Sequence, residues 1–117
     1  MTIQKICILG AGTLGSRVAL QSAISGFEVT VYDIHQKALD FGQKTMEKIL
    51  RQLVKASQLN EVQVSVIFSR IKFTLDPVEA VSDADFINES VTEEVDIKKK
   101  VWKQFGEIAP EKTWFTT

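Results

Sequence analysis

Two rhythms of apolar and polar positions alternate along this chain. Ile6-Cys7-Ile8-Leu9 is a continuous apolar run, which predicts a first strand over residues 3 to 9 with both faces covered, as in a parallel sheet. From about Thr13 to Ser25 the spacing becomes helical, with Leu14, Val18, Ala19 and Ala23 expected to face inward and Gly26 placed to end the turn. Glu28-Val29-Thr30-Val31-Tyr32 then alternates and is β-rich, so a second strand follows. A long helical pattern covers about 36 to 57, where Leu39, Met46, Ile49, Leu50, Leu53 and Val54 recur at intervals of three and four. Residues 60 to 70 suit either rhythm: Val62, Val64 and Val66 alternate like a strand, while Val62, Val66, Ile67 and Arg70 suit a helix. We read a helix, because Ile71-Lys72-Phe73-Thr74-Leu75 then supplies the third strand.

Asp76-Pro77-Val78-Glu79 is a helix start, with a capping side chain, proline at the first helical position and glutamate at the third. A fourth strand is expected over 84 to 89. Ser90-Val91-Thr92-Glu93 matches a capping box and opens a helix to about Ala109, whose apolar face is Ile97, Val101, Phe105 and Ile108. Pro110 stops it, and 113 to 117 reads as a fifth strand.

The junction between the first strand and first helix carries the chemistry. Gly10-Ala11-Gly12-Thr13-Leu14-Gly15 places glycine where the chain must turn tightly, where backbone must approach a ligand, and where helix and strand must pack closely. No lysine or arginine stands in that loop or in the first helical turn. A pyrophosphate would therefore be held by the unsatisfied amides and partial positive charge of a helix start. The second strand closes at Asp33, 18 positions after Gly15. In a βαβ unit that carboxylate accepts hydrogen bonds from an adenosine ribose and repels a 2'-phosphate, which favours NAD over NADP. A capping role for Asp33 on the next helix, with Gln36 at the third position, is compatible with ribose binding. Together these features predict an α/β fold of the Rossmann type, a doubly wound parallel sheet of about five strands with a long second helix.

Composition changes little in this picture. The chain has 117 residues, room for one domain, with 44% hydrophobic and 25% charged residues. A net charge of -1 gives no reason to expect nucleic acid or membrane as partner. The single Cys7 falls in a buried strand and fits a reducing, cytoplasmic setting. Charge matters in one place. Lys37, Lys44, Lys48, Arg51 and Lys55 fall within roughly 40° of one line along the second helix, with Asp40 and Glu47 on its flank. That row is either a solvated face or a track for a polyanion other than the pyrophosphate.

With these residues assembled, the chain resembles the NAD-binding domain of L-3-hydroxyacyl-CoA dehydrogenases. The resemblance is carried by the start at Ile8, Val31-Tyr32-Asp33, the segment from Ala84 to Val91, Asp96-Ile97-Lys98-Lys99 and the end at Trp114-Phe115-Thr116-Thr117. It implies residues 1 to 117 as an NAD-binding domain whose substrate and dimerisation domain lies outside this chain, in a protein that is a homo-oligomer. It further implies pyrophosphate contacts from Gly10, Ala11, Gly12, Thr13, Leu14 and Gly15, an adenine-ribose contact from Asp33, and approach of Glu93 and Lys98 to the nicotinamide ribose. The basic row, with Lys44, Lys48, Arg51 and Lys55, would meet the CoA part of an acyl-CoA substrate, while Ala56 stands where the family has a lysine. The family's His-Glu catalytic pair lies beyond Thr117, so this chain is expected to bind NAD without turning over substrate. Ending in an apolar strand, it is also expected to self-associate. Competing readings are a stand-alone NAD-sensing regulatory module, a crystallin-like structural branch, and a related sugar-acid or carnitine dehydrogenase.

Overall fold

The computed structural model describes residues 3–90, 103–105, 107–109 and 114–116. In chain order the elements are β1 Lys5–Leu9, α1 Thr13–Ile24, β2 Glu28–Tyr32, α2 Gln36–Lys55, α3 Glu61–Ser69, β3 Ile71–Thr74, α4 Pro77–Val81, β4 Phe86–Glu89 and β5 Trp114–Thr116. All pairings are parallel, and the strands lie in the order β3-β2-β1-β4-β5. Four strands make the body of the sheet. The short β5 extends it beside β4, so the expected sheet of about five strands is four strands with a three-residue fifth at the edge.

The register follows from side-chain alternation. Ile8 faces a core built with Ala19, Leu20 and Ala23 of α1, Leu39, Met46 and Leu50 of α2, and Ile67 of α3. Cys7 and Leu9 face the opposite layer, with Ala80 and Val81 of α4, Ile87 and Phe105. Each fully buried Leu, Ile, Val, Met or Phe side chain among them contributes about 1.5–3 kcal/mol. The ring of Tyr32 meets Phe105 edge-on, centroids 5.1 Å apart. Burial raises the Tyr32 phenol pKa, and the Asp33 and Asp76 carboxylates add to the rise.

Local sequence accounts for the ends of the helices. Asn60 and Gln63 form a reciprocal capping box that starts α3, resolving the ambiguous stretch as a helix. Asp76 accepts from the amides of Val78 and Glu79 and starts α4, as its sequence predicts. Gly26, at φ 102°, turns the chain out of α1 into β2. Two expectations fail. Leu14 is 65% exposed rather than inward, because it stands on the opposite side of α1 from the buried face of Gly15, Ser16, Ala19, Leu20 and Ala23. Asp33 does not cap α2: His35 occupies that position without a side-chain cap, and Gln36 reaches Asp40 instead. The capping box from Ser90 to Glu93, the helical faces at Ile97 and Val101, and Glu93 and Lys98 themselves lie outside the described residues, except that Ser90 is described.

Candidate functional site

The carboxyl edge of the sheet brings the glycine loop and Asp33 to one place. Gly10 leaves β1 at φ 109° and donates its amide to Tyr32 O at 2.8 Å, which ties the loop to the end of β2. An L side chain at that φ would be strained. Gly15 lies so close beneath the loop that a Cβ would stand 2.0 Å from Gly10 O. Gly12 is the opposite case. Its missing Cβ points into open space, and it is the N-cap of α1 with no side-chain cap on the first turn. The helix start therefore presents amides at an exposed surface formed by Gly12, Thr13 and Leu14.

Asp33 stands beside this loop. Its Oδ2 accepts from Ala11 N at 3.0 Å and its Oδ1 from His35 N at 3.0 Å. Each oxygen keeps a further lone pair, so the carboxylate both fixes the loop and remains able to accept from a ligand's hydroxyls. Sequence reasoning found the carboxylate but not its bond to Ala11, which depends on how the loop folds back. It also missed Gly42. A Cβ there would lie 2.8 Å from Ser16 Oγ and 3.1 Å from Ala11 O, so a glycine inside α2 lets that helix press against the loop. Ser16 Oγ in turn donates to Ala11 O at 3.0 Å.

These features fit a dinucleotide: uncapped amides for a pyrophosphate, an open face where Gly12 lacks a side chain, and a carboxylate one strand away. Ile34, 70% exposed, adds apolar surface next to Asp33. The sequence family described as 3-hydroxyacyl-CoA dehydrogenase, NAD binding domain, matches residues 5–117. The chain belongs to this family. NAD is accordingly its cofactor.

Among curated relatives, a "Probable 3-hydroxyacyl-CoA dehydrogenase" of Caenorhabditis elegans is 32% identical over 120 residues, covering 98% of this chain and 39% of the relative. A "Probable 3-hydroxybutyryl-CoA dehydrogenase" of Deinococcus radiodurans is 36% identical over 104 residues, covering 89% and 37%. The solved (S)-3-hydroxybutyryl-CoA dehydrogenase of Ralstonia eutropha superposes with a TM-score of 0.94 at 30% identity, covering 98% of this chain and 41% of that one. The chain thus spans about two fifths of the length of the relatives it matches.

The basic row lies elsewhere, along the exposed side of α2. Lys44, Lys48, Arg51 and Lys55 line a shallow depression with Glu47 and Gln52. Glu47 does more than flank it: its carboxylate lies 3.8 Å from the Arg51 guanidinium, so one cation of the row is already paired. No helix among the described residues is long and apolar enough to cross a membrane, and none of their His, Cys, Asp and Glu side chains cluster to hold a metal ion.

Proposed function

We propose that residues 1 to 117 form the NAD-binding domain of a 3-hydroxyacyl-CoA dehydrogenase, and that the complete protein oxidises an L-3-hydroxyacyl-CoA to the 3-ketoacyl-CoA in fatty acid metabolism. The observation that carries this reading is the uncapped start of α1 beside a carboxylate that keeps its accepting lone pairs. Gly10, Ala11, Gly12, Thr13, Leu14 and Gly15 receive the pyrophosphate through backbone amides, and Asp33 accepts from the adenine ribose. Glu93 and Lys98 serve the nicotinamide ribose. When bound, NAD supplies the hydride acceptor for the alcohol carbon, and the hydroxyl proton passes to a general base.

That base is not His35. Its backbone is tied to Asp33 at the end of β2, on the adenosine side. A catalytic base must reach the substrate hydroxyl within hydrogen-bond distance. We therefore assign turnover to residues outside this chain, and binding to those within it. Lys48, Arg51 and Lys55, with Lys44, attract the phosphates of the CoA part of the substrate. The reading includes a homo-oligomer in the cytoplasm, supported there by an unpaired, buried Cys7 that suits a reducing compartment.

Calorimetric titration of the chain with NAD and NADP tests the assignment. NAD should bind at least tenfold more tightly, since Asp33 faces the position of the 2'-phosphate. Equal affinity, or a preference for NADP, contradicts it.

A further inference from the structure

Resting on the cofactor reading above, we propose that Ser90 is a direct cofactor contact that positions the nicotinamide ribose by accepting a hydrogen bond from one of its hydroxyls. Three observations converge on this residue. The first is its place in the topology. β1 and β4 are parallel neighbours from which the chain winds to opposite sides of the sheet, to β2 on one side and β5 on the other, and ligands settle outside the carboxyl ends of strands at such a switch point. Leu9 and Glu89 are register partners, so Gly10 and Ser90 are the next positions on the two strands. Ser90 N donates to Leu9 O at 2.8 Å, fixing that backbone against the root of the glycine loop.

The second is the face. Ile8 is the partner of Asn88, and Ile8 belongs to the core shared with α1. Alternation puts Asn88 and Ser90 on that same side of the sheet, the side on which α1 begins. A dinucleotide with its adenine ribose at Asp33 on β2 and its pyrophosphate after β1 continues across the sheet to β4. Neighbouring strands are about 4.8 Å apart, so the second ribose falls about one strand past the loop.

The third is the hydroxyl itself. Ser90 Oγ donates to Asn88 Oδ1 at 2.6 Å, which occupies its one proton and leaves acceptor lone pairs. A hydroxyl whose proton is already given away repels a phosphate oxygen and welcomes a donor. Ribose hydroxyls are the donors available on that half of the cofactor. The capping box predicted from Ser90 gave this hydroxyl a purely structural task; its bond to Asn88 points to a second one.

The test is calorimetric titration of the 117-residue chain, wild type, Ser90→Ala and Ser90→Thr, with NAD, ADP-ribose and ADP. Ser90→Ala should weaken NAD and ADP-ribose by about fivefold and leave ADP within about twofold, since ADP lacks the second ribose. Ser90→Thr, which keeps the hydroxyl, should restore NAD affinity to within about twofold of wild type. Unchanged affinity of Ser90→Ala for all three ligands, with wild type binding NAD, overturns the contact and leaves the cofactor reading standing. An equal loss for ADP also overturns it, because Ser90 would then act on the loop. Failure of the wild type to bind any of the three removes both readings together.

Discussion

The two edges of the sheet carry the same device and use it differently. At the amino edge, Asp85 is 6% exposed, and its Oδ2 accepts from the amides of both Gln4 and Lys5 at 3.0 Å. At the carboxyl edge, Asp33 spreads two amides over two oxygens and stays half-buried. Also at the amino edge, the Lys5 ammonium lies 2.6 Å from Asp83 and is held in its charged form by that hydrogen bond. The carboxyl edge is left open, with an uncapped helix start and the exposed apolar side chains of Leu14, Ile34 and Leu75. One edge satisfies its polar groups within the chain. The other leaves helix-start amides and carboxylate lone pairs open to solvent or a ligand, and the binding role proposed for Asp33 rests on that contrast.

The strongest way to break the contrast is to disturb the loop itself. Gly15→Ala pushes a methyl group to within 2.0 Å of Gly10 O, where backbone cannot give way cheaply. We expect a loss of about 2–3 kcal/mol in denaturant unfolding together with at least tenfold weaker NAD binding. An unchanged unfolding midpoint contradicts the close packing of loop on helix.

The two aspartates sharpen the contrast directly. Asp85→Ala leaves two strand-end amides without their acceptor and should cost about 2–3 kcal/mol of stability, with NAD affinity of the folded protein kept within about twofold. Asp33→Ala should reverse the pattern, costing about 1 kcal/mol of stability and at least tenfold in NAD affinity. Equal effects of the two substitutions on binding would erase the distinction.

The strand joining the two edges gives the smallest effect. Burial pushes the Cys7 thiol from 9.0 up to about 12. The folded state therefore keeps a proton that the unfolded chain releases. The resulting stability is fully present below pH 9 and is lost as pH rises toward 12. At pH 10 the loss attributable to this thiol should be about 1 kcal/mol. Unfolding curves at pH 8 and pH 10 for wild type and Cys7→Ala measure it, and the same alkaline loss in both proteins contradicts it.

Much of this architecture was legible in the sequence because its signals are local. The aspartate cap at Asp76 acts within three residues, and β2 announced both its span and its closing carboxylate. The buried side of α2 was readable too, since Leu39, Met46 and Leu50 share one helical face. What stayed hidden needed three dimensions. Which side of α1 meets the sheet is one such feature: the buried face runs through Gly15, Ser16, Ala19 and Ala23, and Leu14 stands opposite it. Asp33 reads locally as a helix cap, but Ala11, 22 positions away, competes for its oxygen and wins. Ser90 read as the first residue of a capping box, whereas its place beside Gly10 follows from the pairing of β1 with β4, which no local pattern encodes.

Amide chemical shifts during an NAD titration examine the open carboxyl edge most directly. The account predicts saturable changes at Gly12, Thr13, Leu14 and Gly15, with Ile34 and Ser90 moving alongside, and none at Gln4 and Lys5. Shifts confined to the amino edge, or a spectrum indifferent to NAD, would contradict it.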